Sequence, residues 1–137
     1  MRRAPDDLAA MLAAPPAGLL QAWIGEARAA CAAASGIEEA MSALRRLKGR
    51  AALLIALADC GGAWRVEAAV AALTAVADAS VQSAIDFILR KATEQNAFHP
   101  QDPSQPGAGS GLIVLALGKH GAGELNYSSD IDIVLFY

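Results

Sequence analysis

Aromatic side chains are scarce in this chain: they make up 5% of its 137 residues, although hydrophobic residues reach 55%. Much of that apolar content is alanine, which favours helix but buries little area per residue. Cysteine is also sparse. Cys31 and Cys60 are the only two, which excludes a secreted disulfide framework, and neither has a Cys or His at metal-ligand spacing. Both read as small core residues. No excess of basic charge is present: the formal charge is −3 and the pI is about 5.2. Bulk electrostatic binding of nucleic acid is therefore excluded, whereas a metal-bridged phosphate ligand needs only local carboxylates. No window approaches 18 consecutive apolar residues, so no membrane partner is expected and the default location is cytoplasmic. Arg2 and Arg3 precede an apolar stretch, as in a twin-arginine export signal. Asp6 and Asp7 interrupt that stretch, and Pro15-Pro16 break it again.

Helical patterns fill the first hundred residues. A short helix is expected over 6–13, and Pro15-Pro16 fit a restart. Residues 17–33 then carry Leu20, Trp23, Ile24 and Ala27 on one face. The clearest helix spans 37–58, between glycines, with Leu44, Leu47, Ala51, Leu54, Ile55 and Ala58 at a 3.6-residue period. Arg45, Arg46, Lys48 and Arg50 fall mostly off that stripe and read as a solvated face. Contact with a phosphate or an acidic partner is the alternative. Two further helices are expected over 66–77 and 81–92. The second is capped by Ser80 and buries Val81, Ile85, Ile88 and Leu89. Trp23 and Trp64 read as core anchors.

The composition then changes. Residues 96–111, "NAFHPQDPSQPGAGSG", read as a loop or linker. "LIVLALG" (112–118) has the length and apolarity of a strand, and "KHGAGELNYSSD" is a glycine-bearing turn with a helical turn expected around 122–125. "IDIVLFY" closes the chain as a second strand. The expected fold class is α+β: a helical region over 1–95, a linker over 96–111, and the start of an α/β core over 112–137. Two strands leave unpaired edges, and the sequence stops on Phe136-Tyr137 without a turn or polar tail. The expectation is an N-terminal fragment cut within an α/β domain.

The chemistry concentrates at Asp130 and Asp132. Residues i and i+2 of a strand share a face, about 6–7 Å apart at Cα, while Ile131, Ile133 and Leu135 point the other way and can pack on helices. Two neighbouring carboxylates repel unless a counter-charge is supplied. Mg²⁺ supplies one and also binds phosphate. Gly118, Gly121 and Gly123 allow close backbone approach, and Ser128 and Ser129 offer hydroxyls and N–H groups. On spacing alone the pair fits a catalytic metal site and a solvated strand edge equally well. The loop glycine and terminal glutamate of an EF-hand are missing. "GKHGAG" lacks the Lys-Ser/Thr of a Walker A loop.

The full string "LIVLALGKHGAGELNYSSDIDIVLFY" resembles the signature of the bifunctional glutamine synthetase adenylyltransferase/adenylyl-removing enzymes, within the polymerase-beta-like nucleotidyltransferase superfamily. "LNYSSDID" is similar to the motif of that family's N-terminal, adenylyl-removing half, and the helical sequence from about residue 40 also resembles the region leading into it. The resemblance implies phosphorolysis: AMP is removed from an adenylylated tyrosine of glutamine synthetase by inorganic phosphate, releasing ADP, while the other half adenylylates from ATP. It implies Mg²⁺ held by the catalytic Asp130 and Asp132. Gly118, Lys119, Gly121, Ser128 and Ser129 would lie near the nucleotide and phosphates. Glutamine synthetase and a PII-type signal protein are the implied partners.

Two departures qualify that likeness. His120 stands where the family has an apolar residue, and reads as a packed or solvent-facing ring, with phosphate contact as the alternative. The superfamily's third carboxylate has no counterpart here, so the chain alone is expected to have little or no activity. Tyr127 fits the motif as a structural residue. A uridylyltransferase-type enzyme and a non-catalytic helical docking module are the competing functions.

Overall fold

The computed structural model describes residues 5–102 and 105–137, so Arg2 and Arg3 lie outside the described residues. The fold is α+β. Four helices, α1 (Pro5–Ala13), α2 (Pro16–Ala33), α3 (Ile37–Cys60) and α4 (Val66–Glu94), precede β1 (Ile113–Leu117), the single turn α5 (Gly118–Gly121) and β2 (Asp132–Phe136).

Proline starts α2: Pro15 is its N-cap and Pro16 its first residue, where a missing N–H costs nothing. Its stripe of Leu20, Trp23, Ile24 and Ala27 is buried, joined by Cys31. On α3, Leu47, Ala51, Leu54, Ile55 and Ala58 are buried and Leu44 is half-buried. These faces meet Ala69, Ala72, Val76 and Ala79 of α4, with Trp64 packed against them. Alanine on α4 lets the three helices approach closely. The core gains many small contacts in place of a few large ones.

Arg50 is more than a solvated charge. It pairs with Asp7 at 2.9 Å and Glu26 at 2.8 Å, and lies 4.1 Å above the Trp23 ring, tying α1 and α2 to α3. At the other end Arg90 donates to the carbonyls of Ala34 at 2.7 Å and Cys31 at 3.4 Å, closing the end of α2 against α4.

Four expectations need correction. The two helices foreseen over 66–92 are one, because Ser80 bonds back to the Val76 carbonyl at 2.7 Å and does not cap a new start. Continuous winding carries the buried stripe through Ser83 and Phe87, leaving Ile88 59% exposed and Val81, Ile85 and Leu89 half-buried. Cys60, the last residue of α3, is exposed, whereas Cys31 is buried and burial pushes its thiol pKa up. Finally, α4 is long and apolar enough to cross a membrane by length and composition alone. In this fold its apolar stripe packs on α2 and α3.

β1 and β2 pair antiparallel, with Ile113 opposite Phe136 and Leu117 opposite Asp132. Ile131, Ile133 and Leu135 are not buried against the helices and remain 42%, 38% and 54% exposed. The strand end and turn are instead pinned to the helices by buried His120 and by Leu125.

Candidate functional site

The antiparallel register ends at Leu117–Asp132, so the strand carrying Asp132 meets β1 where the chain leaves it for α5. Gly118 turns there with φ +56°, in the left-handed region that a side chain disfavours. A Cβ on Gly118 would sit 3.4 Å from Asp132 Oδ2, so the glycine leaves open space beside that carboxylate. Asp130 lies just before β2 and not within it, so the two acids are not successive same-face residues of one strand. Both are exposed, and neither carboxylate has a hydrogen bond or ion pair among the described residues.

The helical turn falls at 118–121, four residues earlier than expected, and local sterics explain it. A Cβ at Gly121 would overlap the Ala116 carbonyl oxygen and stand 2.9 Å from its carbon. Gly121 therefore serves the packing of the turn on its own strand. Replacing it by alanine is expected to cost about 1–3 kcal/mol through overpacking. Urea unfolding of the variant, compared with Gly25→Ala where an added Cβ meets nothing within 4 Å, checks this.

His120 is 5% exposed, and its Nε2 lies 2.8 Å from Asp78 Oδ1 on α4. The histidine is thus packed, and it latches the turn to the helical region. Nδ1 of the same ring is buried without a partner among the described residues. Lys119, next to it, is exposed and unpaired among the described residues.

Asn126 organises the loop before the carboxylates. Its Oδ1 accepts from the Ser128 N–H at 3.0 Å and the Ser128 hydroxyl at 3.1 Å. Its own N–H donates to Ser129 Oγ at 3.0 Å, and its carbonyl accepts from the Ser129 N–H at 3.2 Å. The Ser-Ser N–H groups are thus spent inside this turn, and it fixes the entry to Asp130. An Asn two and three residues before serines carries that signal in the sequence. The long-range partner Asp78 carries none.

Tyr127 donates its hydroxyl to Asp59 Oδ2 at 3.1 Å, anchoring the loop to the end of α3. Desolvation first, then the hydrogen bond to Asp59 and the neighbouring negative charge, raises its pKa above the usual 10.0. A raised folded-state value means that this contact's stability is fully present below the unfolded pKa and is lost as pH rises through the folded one. Tyr127→Phe is therefore expected to flatten the fall in stability above pH about 10, as read from pH-dependent thermal melts.

Between this loop and the α3–α4 surface lies a groove of about 370 Å³, with Arg45, Lys48, Ser129 and Asp130 among its lining residues. The donor chemistry suits a hard divalent cation: two carboxylates without a partner among the described residues, one of them beside the side-chain-free Gly118. Among the described residues no group of three or more His, Cys, Asp or Glu gathers around a common point.

A helical bundle latched to a strand–turn–strand corner that carries two carboxylates defines an α+β protein. Residues 1–137 match the family model described as glutamate-ammonia ligase adenylyltransferase, and the chain belongs to that family. It is 50% identical over its whole length to a bifunctional glutamine synthetase adenylyltransferase/adenylyl-removing enzyme of Rhodopseudomonas palustris, covering 14% of that protein. The enzyme of the same description from Bradyrhizobium diazoefficiens is 49% identical, again over 100% of this chain and 14% of the relative. That from Xanthobacter autotrophicus is 56% identical over 109 residues, 79% of this chain and 11% of the relative. The chain thus spans about one-seventh of the length of the first two relatives. No solved structure matches it.

Proposed function

We propose that this chain carries the metal corner of the adenylyl-removing reaction of a glutamine synthetase adenylyltransferase/adenylyl-removing enzyme, acting within a protein of its relatives' length. One observation carries the reading: the Asp132 carboxylate lies against the backbone at Gly118, two residues from Asp130, and neither carboxylate has a partner among the described residues of a chain of this family.

In this reading Asp130 and Asp132 hold Mg²⁺, which supplies charge neutralisation and alignment of the phosphates. Gly118 and Gly121 shape the turn, and Lys119 and the Ser128-Ser129 segment border the phosphates. An oxygen of inorganic phosphate bonds to the α-phosphorus of the tyrosine-bound AMP. The bond from that phosphorus to the tyrosyl oxygen breaks, and the departing oxygen takes up a proton. ADP and unmodified tyrosine result. Phosphate is already anionic at neutral pH, so positioning carries the rate and no strong general base is needed. His120 holds the turn by its bond to Asp78. The partners are glutamine synthetase, phosphate and ATP/ADP, with regulation by a PII-type protein through sequence outside this chain, in the cytoplasm.

The test supplies adenylylated glutamine synthetase and phosphate to a protein of the relatives' length carrying this chain. ADP release that depends on phosphate supports the reading. Release of AMP by water with no phosphate requirement contradicts it.

A further inference from the structure

The groove beside Asp130 is built from two kinds of surface. Its floor is apolar, from α3 and α4, with Ala52, Ile55 and Val76 among its residues. Its polar parts are the Asn126–Asp130 loop on one side and Arg45 and Lys48 of α3 on the other. Those two cations lie three residues apart, and so share one face of the helix.

Their position and electrostatic state together set them apart. Arg50, Arg65, Arg90 and Lys91 are all committed to carboxylates, and Arg46, also without an ion pair among the described residues, lines the Trp23 side of α3 instead. Arg45 and Lys48 have no ion pair among the described residues, yet line a concave surface that ends at Asp130. A volume of about 370 Å³ falls in the range of small-molecule sites, which combine apolar walls with a few placed polar groups. Inorganic phosphate alone would leave the apolar floor unused. A purely apolar occupant would leave the two cations unmatched. A flat ring joined to a phosphate satisfies both.

We propose that this groove seats the nucleotide of the reaction, with the adenine on the α3–α4 floor and phosphate oxygens held by Arg45 and Lys48. The proposal rests on the adenylyl-removing reading above and extends the site from the carboxylate corner onto the helical region. It also gives the helices a share in recognition, since α3 would present the cations and the Tyr127–Asp59 bond would hold the opposite wall against it.

The test uses a protein of the relatives' length in the phosphorolysis assay, with ADP as product inhibitor. Arg45→Gln combined with Lys48→Gln is expected to raise the inhibition constant for ADP about tenfold or more. The KM for phosphate should stay within about twofold, and Arg45→Lys should recover part of the loss. Both positions are exposed, so thermal melting of the double variant is expected to match the parent's. An unchanged ADP constant, with Asp130→Asn still abolishing phosphorolysis, overturns the groove proposal and leaves the reaction assignment standing. A rise confined to the KM for phosphate overturns it in favour of a phosphate-only subsite. A rise confined to the KM for adenylylated glutamine synthetase overturns it in favour of protein docking. If Asp130→Asn retains full phosphorolysis, the assignment falls, and this proposal falls with it.

Discussion

Asp132→Asn is expected to reduce phosphorolysis of adenylylated glutamine synthetase by about 10²–10³-fold or more, the scale seen when one preorganised electrostatic group is removed from a transition state. The substitution keeps the side chain's shape and its place opposite Leu117, but removes the charge. Asp132 is exposed and its carboxylate makes no hydrogen bond or ion pair among the described residues, so the change should barely affect folding. Loss of activity with an unchanged melting temperature is the expected pair of results. ATP-dependent adenylylation by the same protein should persist, since the proposal assigns that chemistry to its other half. Equal loss of both reactions would show that Asp132 acts on the whole protein's structure. Retention of both would remove it from the chemistry.

The largest effect on stability is expected at the centre of α3. Leu54 is 1% exposed and packed in the main core cluster, whereas the adjacent Leu53 is 49% exposed. Leu54→Ala should cost about 2–5 kcal/mol, combining lost transfer energy with the cavity left behind. That is a large share of the roughly 5–15 kcal/mol that stabilises a typical domain. Leu53→Ala should change stability by no more than about 0.5 kcal/mol. Urea unfolding followed by circular dichroism distinguishes the two. Similar losses at both positions would mean that the α3 stripe faces elsewhere.

The helices were legible in the sequence where burial follows a local period. The stripes of α2 and α3, and the Pro16 start, are set by residues three or four apart. Continuity through Ser80 was not legible, because the same hydroxyl either caps a new helix or bonds back to Val76 within an existing one. The choice depends on what α4 packs against. The strands were visible as apolar runs, but Asp130 falls outside β2 because the ladder stops at Asp132 and the Asn126 turn takes up the residues before it.

At the site, the sequence displayed the acids and the glycines but not why each glycine is needed. Gly118 faces Asp132, whereas Gly121 faces its own strand's carbonyl. The His120–Asp78 bond joins residues 42 apart, and Tyr127–Asp59 joins residues 68 apart. No local pattern encodes such pairs. The basic cluster on α3 also divides only in three dimensions: Arg50 is spent on Asp7 and Glu26, and Arg45 and Lys48 face the groove.

The central claim is that Asp130 and Asp132 hold a divalent cation, and Mn²⁺ used in place of Mg²⁺ tests it without relying on turnover. Electron paramagnetic resonance titration of a protein of the relatives' length, against its Asp130→Asn/Asp132→Asn variant, counts tightly bound ions directly. The account predicts that the variant loses a class of bound Mn²⁺ while keeping its melting temperature. Identical stoichiometry and affinity in the two proteins would contradict it.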